Sequence, residues 1–345
     1  MISGGDPKIL VINPGSTSTR VALFKGEVAQ ADTALPAPAP QPGADLWAEF
    51  PRRLEGIRKW LEEEGIDISS LEAVVGRGGL LRPVEGGTFK VTEVMLEDAR
   101  SNSRGAHASN LGCALARAVA DEVTRARGGA APAFVVDPVS TDEFHELARY
   151  SGLAGIPRIS LSHALSIHAL IREVCQRDGK GIEGSRFVVA HLGGGISVCP
   201  VAGGRILDAN NANSGGPFSP TRAGGLPTQE LIGLCFSGGQ TAQELEEMTV
   251  KRGGVMSYLG TADARVVEER IGRGDEEARM VYKAMAYQIA KEIGAMATVL
   301  KGEVEKILIT GGLASSEMLV DWIAEAVSFI APVAVSYTHL TLPTS

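Results

Sequence analysis

The pattern of apolar and polar positions divides the chain into short strands and amphipathic helices. Apolar runs at 8–12 and 20–24 flank a turn rich in hydroxyl residues, and a third strand is predicted from Val28 onward. From 45 to 64, apolar residues recur every three or four positions, which is typical of a helix packed on a core. A further strand at 71–75 follows. The alternation of strands and helices predicts an α/β protein.

The same succession of strands and turns returns about half-way along the chain. Strands are predicted at 187–190, 196–201 and 205–209, separated by glycine-rich turns at 191–195 and 202–204. Each half therefore begins with a strand, a turn of small residues, a strand, a tight turn and a strand. We interpret this repetition as the duplication of one domain type.

The remaining pattern completes two α/β units and leaves one segment unexplained. Helices are predicted at 92–101, 107–126, 276–302 and 314–329, and strands at 134–136 and 306–310. Residues 34–42 are rich in Ala and Pro and predict an extended loop. Residues 336–345 have no charge, helical period or cap, and predict either a non-native tail or an ordinary polar one.

Composition and charge narrow the class of function. A chain of 345 residues predicts about two domains. No apolar run approaches the ~18 residues of a membrane span, and the N-terminus does not resemble a secretory signal. The net charge of −8 argues against nucleic acid or an anionic membrane as a partner. The cysteines have no CxxC spacing and predict reduced thiols in a cytoplasmic protein: Cys113, Cys175, Cys199 and Cys235.

Two turns are candidates for binding phosphate. The turn at 13–18 offers an amide, hydroxyls and backbone N–H groups, and the turn at 191–195 contains three consecutive glycines that let backbone approach a ligand. Each alone is also compatible with an ordinary hairpin turn. Together they predict a nucleotide cleft with one turn on each side. The GxxxxGK[ST] phosphate loop is absent.

Charged and glycine residues at strand ends suggest a binding site for anions. Gly311 and Gly312 follow a strand, where α/β folds bind ligands. Arg77 and Arg222 lie among glycines, where a guanidinium suits bidentate capture of carboxylate or phosphate, although each is also compatible with a surface arginine. The glycine content of the chain is high, at 42 residues. Many of these glycines are clustered, which indicates that the backbone packs closely against other atoms.

Histidines and carboxylates near element ends add candidates for chemistry. His107, His163 and His191 are each compatible with catalysis or with a structural hydrogen bond. Asp137 and Asp208 follow apolar strands, where a carboxylate can hold Mg²⁺. No zinc-ligand spacing and no GxSxG motif occurs, which argues against a zinc enzyme and a serine hydrolase.

These motifs together resemble the acetate kinase family. The resemblance covers about 8–335 and rests on the motifs at 12–19, 76–79, 191–197 and 310–314. Pro14, the stretch 77–79 and the segment 217–220 resemble the butyrate kinase branch. The resemblance implies an α/β fold of two duplicated actin-like ATPase (ribonuclease H-like) domains with an interdomain cleft. Its expected domains are 1–152 for the acyl substrate and first phosphate motif, 153–335 for the nucleotide, and 336–345 as a probable non-native tail.

Site residues follow from the resemblance at the matching positions. The catalytic positions are Asn13, Arg77, His163 and Arg222. The positions that bind ATP or ADP are Ser16, Ser18, Arg20, His191, Gly193, Gly194, Gly195, Gly311 and Gly312, with Arg20 where the family usually has lysine. Asp137 corresponds to an aspartate linked to Mg²⁺, and His107 to a further active-site histidine. Small residues beside these positions predict an acyl pocket that accepts extra methylenes, lined by Gly79, Ala106, His107 and Ser162.

The implied activity is reversible, ATP-dependent phosphorylation of a short-chain fatty acid such as butyrate, with Mg²⁺. An acetate or propionate kinase of the same fold and an actin-like ATPase that drives shape change are the alternatives. The expected partners are a small carboxylic acid and a nucleotide, without nucleic acid or membrane, in a cytoplasmic homo-oligomer. The family continues past 335 with an acidic segment and a helix, so the different sequence of 336–345 predicts reduced stability or activity.

Overall fold

The computed structural model describes residues 6–15, 17–37 and 45–336. Its contacts divide the chain into two compact units, with the division between Thr141 and Asp142. The strands are β1 (Lys8–Pro14), β2 (Ser18–Lys25), β3 (Val28–Pro36), β4 (Ala73–Arg77), β5 (Thr88–Lys90), β6 (Ala133–Val136), β7 (Arg186–Leu192), β8 (Ile196–Ala202), β9 (Arg205–Ile206), β10 (Lys306–Thr310) and β11 (Val333–Val335). The helices are α1 (Phe50–Glu63), α2 (Glu93–Ser101), α3 (Leu111–Arg127), α4 (Ala164–Arg177), α5 (Thr228–Cys235), α6 (Ala242–Val250), α7 (Gly254–Leu259), α8 (Ala264–Gly272), α9 (Glu276–Val299) and α10 (Glu317–Val327).

The first unit contains a six-stranded sheet in the order β3-β2-β1-β4-β6-β5. The first three strands form an antiparallel meander, while β4 and β6 run parallel to β1. The helices that connect these parallel strands cover the sheet, as parallel pairs require. The predicted succession of strands at the N-terminus is therefore confirmed, with β5 as an additional antiparallel edge strand.

Helices α1 and α3 form the apolar core of the first unit with the sheet. Ile57 and Trp60 of α1 and Leu115 of α3 are buried together with Leu10 and Ile12 of β1. The closest approach is between α3 and β4, where a Cβ on Gly112 would lie 2.0 Å from the Arg77 carbonyl oxygen. Because glycine permits this approach, the first turn of α3 packs directly on the end of the strand that carries Arg77.

The second unit contains a five-stranded sheet in the order β11-β10-β7-β8-β9. Its first three strands are again an antiparallel meander, and β10 and β11 again run parallel to the first strand. Numbered within each unit, the order is 3-2-1-4-6-5 in the first unit and 3-2-1-4-5 in the second, so the sixth strand of the first unit takes the place of the fifth strand of the second. The repeated topology confirms the predicted duplication, which was visible only as a pattern of strands and turns.

Strand β7 lies at the centre of this sheet and is covered on both faces. Val188 and Ala190 contact the core formed with α9, while Phe187 and Val189 contact the core formed with α4. Successive side chains of a strand point to opposite faces, so a continuous apolar run is what two covered faces require. The second unit is therefore a sheet between two layers of helix.

Several predicted elements differ in extent from the observed ones. The strand predicted at 205–209 ends at Ile206, and Asp208 beyond its end forms an ion pair with Arg158. The helix predicted from 314 begins at Glu317, because the Ser316 hydroxyl caps it by accepting from the Leu319 N–H. Of the loop predicted at 34–42, residues 34–36 belong instead to β3, and 38–42 lie outside the described residues.

The C-terminal tail and the domain assignment remain predictions. Ser336 donates its N–H to the Ile309 carbonyl, and 337–345 lie outside the described residues. The assignment of 1–152 to the acyl substrate and 153–335 to the nucleotide is not tested by the fold. Among the helices of the described ranges, none is long and apolar enough to cross a membrane.

Candidate active site

Three candidate residues of the first unit lie at one edge of its sheet. Asn13 is near the end of β1, Arg77 ends β4, and Asp137 follows β6 directly. These parallel strands are neighbours in register, with Ile12 opposite Gly76 and Arg77 opposite Val136. Arg77 Nη1 donates to Asn13 Oδ1 at 3.3 Å. The sheet thus gathers an amide, a guanidinium and a carboxylate at the carboxyl ends of its strands.

Arg77 is held in a largely dehydrated environment. Burial lowers the pKa of its guanidinium from the ordinary value. Within 6–15, 17–37 and 45–336, no carboxylate forms a salt bridge with it. A desolvated cation without a counter-charge is costly, so the surroundings of Arg77 are compatible with an anionic ligand.

The glycines around Arg77 have a packing role. A Cβ on Gly76 would lie 2.2 Å from the Gly112 carbonyl oxygen, and one on Gly78 would lie 2.4 Å from Pro138 Cβ. A Cβ on Gly79 would lie 2.5 Å from Asn110 Cα. The close packing inferred from the glycine-rich sequence is here an approach to protein atoms of the same unit.

Asp137 adopts a backbone conformation that is unusual for a residue with a side chain. Its φ is +38° and it is 3% exposed. Its carboxylate Oδ1 accepts from the Gly87 N–H at 2.6 Å, while its own N–H donates to the Gly87 carbonyl at 3.0 Å. Left-handed conformations of non-glycine residues are strained and concentrate at functional sites. These two bonds hold the carboxylate at the edge of the sheet.

Arg53, which the sequence motifs did not indicate, holds the candidate phosphate turn at 13–18, called the first phosphate turn below. Gly15 N–H donates to the Ser18 carbonyl at 2.8 Å and closes the turn, while Arg20 is exposed. Ser16 lies outside the described residues. Arg53 of α1, 4% exposed, donates to the Gly15 carbonyl at 2.9 Å and to Thr19 Oγ1 at 2.8 Å.

The residues expected around the acyl pocket occupy different surroundings. Gly79 packs on Asn110, and its neighbour Leu80 donates its N–H to Asn110 Oδ1 at 2.9 Å. Ala106 and His107 are exposed, and His107 Nδ1 lies 2.7 Å from Ser109 Oγ. Ser162, in the second unit, is buried. The small size of Gly79 is thus explained by packing, and its part in an acyl pocket stays a prediction.

In the second unit, two candidate histidines stack on each other. The rings of His163 and His191 are parallel within 16° with centroids 4.0 Å apart. His163 precedes α4, and its Nδ1 lies 2.9 Å from Oγ of the fully buried Ser197. Ser197 stands opposite His191 in the ladder of β7 and β8. The hydroxyl therefore fixes the orientation of the His163 ring beside the second phosphate turn.

The second phosphate turn and Arg222 are joined by close contacts. Ser219 Oγ and Thr221 Oγ1 donate to the Gly194 carbonyl at 2.5 Å and 3.2 Å. A Cβ on Gly195 would lie 2.3 Å from Arg222 Nη1, so the guanidinium rests against this glycine. A Cβ on Gly194 would meet nothing within 4 Å. The carbonyl of Gly194 is thus bound to two protein hydroxyls, while the space beside its Cα is open.

Arg222 shares the electrostatic character of Arg77. Burial lowers the pKa of its guanidinium, and Nη1 donates to the Ala212 carbonyl at 3.0 Å. Within the described part of the chain it has no carboxylate partner. Its loop is tied down by neighbouring backbone, since Gly253 donates to the Thr221 carbonyl at 2.9 Å. Within the described residues, each unit therefore contains an arginine whose pKa is lowered by burial and which has no carboxylate partner.

The glycines expected at the adenosine differ from each other. Gly311 has a φ of +93°, and a Cβ there would lie 2.4 Å from the Leu192 carbonyl oxygen. Gly311 therefore allows β10 to end against β7. A Cβ on Gly312 would meet nothing within 4 Å, so this position leaves room for a ligand.

The two candidate carboxylates for Mg²⁺ are distinguished by their partners. Asp208 Oδ1 forms an ion pair with Arg158 Nη2 at 2.8 Å. Glu292 is nearby, and burial raises the pKa of its carboxyl. In the ranges that the structure describes, no cluster of three or more His, Cys, Asp or Glu residues could hold a metal ion. A metal ion bound at Asp137 would therefore have few protein ligands.

The residues missed by sequence reasoning had weak local signals. Arg53 interrupts the apolar stripe formed by Phe50, Ile57 and Trp60 of α1. A charged residue on such a stripe must find partners in the interior, and this position could have been singled out. Ser219 and Thr221 gave no comparable signal, since hydroxyls are common in loops.

Comparison with known proteins supports one family. Residues 151–331 match the acetokinase family. The chain is 47% identical over 328 residues to "Probable butyrate kinase 2" of Caldanaerobacter subterraneus subsp. tengcongensis, covering 94% of this chain and 91% of that protein. It is 46% identical over 329 residues to the "Probable butyrate kinase" of Listeria monocytogenes, with the same coverage.

Solved structures support the fold. The acetate kinase of Porphyromonas gingivalis superposes with a TM-score of 0.75 at 19% identity, covering 94% of this chain and 88% of that one. The propionate kinase of Francisella tularensis superposes with a TM-score of 0.74 at 15% identity, covering 98% of each chain. The predicted α/β fold of duplicated actin-like ATPase domains is confirmed, while the cleft between them stays a prediction. With the extent of the sequence identity, these findings establish that the chain belongs to the acetokinase family.

Proposed function

We propose that this protein transfers the γ-phosphoryl group of ATP reversibly to the carboxylate of a short-chain fatty acid, butyrate or a branched acid of similar size. The observation that carries the proposal is the pair of half-buried arginines, Arg77 and Arg222, whose pKa is lowered by desolvation and which have no carboxylate partner in the described chain. A carboxylate and a phosphoryl group are the two anions that this reaction brings together. The similarity to probable butyrate kinases supports the choice of acid.

The reaction requires positioning more than proton transfer. A fatty acid is already ionised at pH 7, so its oxygen can attack the γ-phosphorus without a general base. The new P–O bond forms as the bond to the bridging oxygen breaks, and the electron pair leaves with ADP. Negative charge spreads over the oxygens of the moving phosphoryl group. Arg77 would hold the carboxylate, and Arg222 would stabilise the phosphoryl group.

Neighbouring polar groups orient these two arginines and their ligands. Asn13 accepts from Arg77 and fixes the guanidinium at the sheet edge. His163, held by Ser197, would donate to a phosphoryl oxygen in the transition state. Donors that are already oriented stabilise developing charge with little reorganisation.

The glycines of the second unit would bind the nucleotide. Gly194 and Gly312 have no atom within 4 Å of a Cβ position, so a ligand could approach their backbone. Ser18, Arg20 and His191 belong to the same proposed set. This arrangement supports ATP and ADP as the nucleotide substrates, in agreement with the family.

Mg²⁺ fits the carboxylate at Asp137. Mg²⁺ usually keeps several waters and binds one or two carboxylates together with substrate phosphates. Asp137 is a buried carboxylate, and the described ranges contain no cluster of three or more His, Cys, Asp or Glu residues that could hold a metal ion, which supports such a donor set. Bound there, Mg²⁺ would reduce the negative charge of the phosphate oxygens. A cytoplasmic location and a homo-oligomeric state complete the proposal as predictions.

The proposal is tested by measuring ADP release with acids of two to five carbons and trapping the acyl phosphate with hydroxylamine. Burial of each extra methylene is worth ~0.8 kcal/mol, so butyrate or isobutyrate should exceed acetate in kcat/KM by roughly 10–200-fold. Equal kcat/KM for acetate and butyrate would contradict the acid assignment. ATP consumption without acyl hydroxamate would favour an ATPase instead.

A further inference from the structure

We propose that Arg53 is a positioning residue that holds the first phosphate turn in the shape required by the β- and γ-phosphates of ATP. The inference rests on the proposed function for the role of that turn. Neither the motifs nor the family resemblance points to Arg53, which lies within α1. Its contacts on the turn are 34 and 38 residues away along the chain.

The side chain of Arg53 is almost completely enclosed, with 1% of it exposed. Nη1 donates to Thr19 Oγ1 at 2.8 Å, and Nη2 donates to the Gly15 carbonyl at 2.9 Å. Nη1 also lies 3.5 Å from the Ser18 carbonyl. Nε and Nη2 donate to Glu49 Oε2 at 2.9 Å and 2.7 Å, which balances the charge. One planar fork thus connects α1 with both ends of the turn.

These bonds determine what the turn presents to a ligand. The carbonyl oxygen of Gly15 accepts from Arg53, and that of Ser18 accepts from the Gly15 N–H. Oxygens bound in this way are directed toward protein donors and are not free to repel a phosphate. Because the guanidinium is planar and has five donors, it can hold several acceptors in one fixed arrangement.

The arrangement also separates a positioning role from a purely stabilising one. An apolar side chain at Arg53 would continue the buried stripe of α1 and keep the helix on its core. It would leave the carbonyl of Gly15 and the hydroxyl of Thr19 without their donor. The turn would then adopt more than one conformation, and binding of phosphates would suffer beyond any loss of stability.

The test is calorimetric titration of Arg53→Met, Arg53→Lys and wild-type protein with ATP, ADP and AMP. Arg53→Met should bind ATP and ADP about 10- to 100-fold more weakly, a loss expected for hydrogen bonds from a charged group. AMP lacks the β- and γ-phosphates, so its affinity should change less than about threefold. Arg53→Lys should recover only part of the loss, since an ammonium lacks the fork.

Arg58→Met is the matched control. Arg58 lies one turn further along α1 and donates to Glu122 of α3 at 2.6 Å, so its removal also costs an arginine–carboxylate pair. Its hydrogen-bond partners in the described chain are Glu55 and Glu122, neither of which belongs to the turn, and its variant should bind all three nucleotides normally. Circular dichroism would check that each variant is folded. If Arg53→Met does not fold, the comparison of Arg53→Lys with wild type tests the proposal.

Normal ATP affinity in the folded Arg53 variants would overturn the proposal, and so would equal losses for ATP and AMP. Weaker ATP binding by Arg58→Met of the same size would do so as well. Acyl phosphate formation by the wild-type protein is measured separately. If wild type binds ATP but forms no acyl phosphate, the proposed function fails, while the comparison of Arg53 variants still reports on the turn.

Discussion

Arg77 and Arg222 share an environment that few arginines occupy. Burial lowers the pKa of both guanidinium groups, and within the described residues both bind only neutral acceptors, Asn13 and the Ala212 carbonyl. Arginine is normally buried with a carboxylate. Within the described residues, two guanidinium groups without a carboxylate partner support the proposal that this protein binds two anionic groups, a carboxylate and a phosphoryl group.

Replacement of these arginines should separate binding of the acid from stabilisation of the transition state. Arg222→Ala should lower kcat by about 10²–10³, the usual effect of removing a transition-state donor. Arg77→Ala should also raise KM for the acid. Lysine at either position should recover only part of the activity. Steady-state kinetics would measure both constants, with Arg117→Ala on the exposed face of α3 as the control. Near-normal kinetics of both alanine variants would refute the assigned site.

Asp137 and Asp208 allow a test of the Mg²⁺ assignment. Asn tolerates the left-handed conformation of Asp137, and its Oδ1 can still accept from Gly87. Asp137→Asn should therefore melt close to the wild-type temperature, while the Mg²⁺ concentration for half-maximal activity rises by about tenfold or more, as loss of a ligand predicts. Asp208→Asn breaks the ion pair with Arg158 and should change stability without changing the Mg²⁺ requirement. An unchanged Mg²⁺ requirement in Asp137→Asn would exclude this carboxylate as a ligand.

At the scale of elements, helix α3 depends on close contact with β4. Its second residue, Gly112, lies against the backbone of Arg77, whereas Gly294 within α9 has nothing within 4 Å of a Cβ position. Both glycines lie in helices, and helix propensity favours alanine over glycine at such positions. Their surroundings predict opposite results for the same substitution.

Gly112→Ala should destabilise the protein by about 1–3 kcal/mol, because a Cβ would lie 2.0 Å from the Arg77 carbonyl oxygen. It should also lower activity, since Arg77 must move with that carbonyl. Gly294→Ala should stabilise by about 0.5–1 kcal/mol and leave activity unchanged. Thermal melting and steady-state kinetics of the two variants give the comparison. Equal shifts in melting temperature would show that the contact between α3 and β4 does not govern stability.

At the scale of the whole molecule, acid stability should depend on a buried carboxylate in the second unit. Burial raises the pKa of Glu143, but hydrogen bonds with His168 Nε2 at 3.3 Å and from the Ile206 N–H at 2.7 Å outweigh it. The net pKa in the folded state is lowered. Its contribution to stability is therefore fully present above the ordinary value of 4.5 and is lost as the pH falls through the folded pKa.

Glu143→Gln should test this dependence. At pH 7 the variant should unfold with about 1.5–3 kcal/mol less free energy than wild type, the range for hydrogen bonds to a charged group. The difference should shrink as the pH falls below about 4.5, where the unfolded chain begins to bind a proton at Glu143, and should be lost as the pH falls through the lower pKa of the folded state. Urea unfolding at several pH values would measure it. A difference that stays constant from pH 7 to pH 3 would contradict the lowered pKa.

Much of the fold could be predicted from local pattern. The meanders of both units, the helix at α1 and the strands β4, β6 and β10 follow from apolar alternation, helical spacing and turn residues, which act over a few neighbouring positions. The edge strands β5 and β11 were not predicted, because three residues are too few to show an apolar alternation. The repetition of the three-stranded meander could also be predicted from the sequence, since turn residues separate the strands in each half.

The details of the site required the folded chain. Glycines that look alike in sequence have different surroundings: a Cβ on Gly76 would meet Gly112, one on Gly195 would meet Arg222, and one on Gly194 would meet nothing within 4 Å. The partners of Arg53 and the absence of a carboxylate beside Arg77 among the described residues also depend on segments distant along the chain. Local pattern governs backbone conformation, because that is decided between neighbours. Burial, packing and charge balance depend on which distant atoms come together, and only the folded sheets and helices specify that.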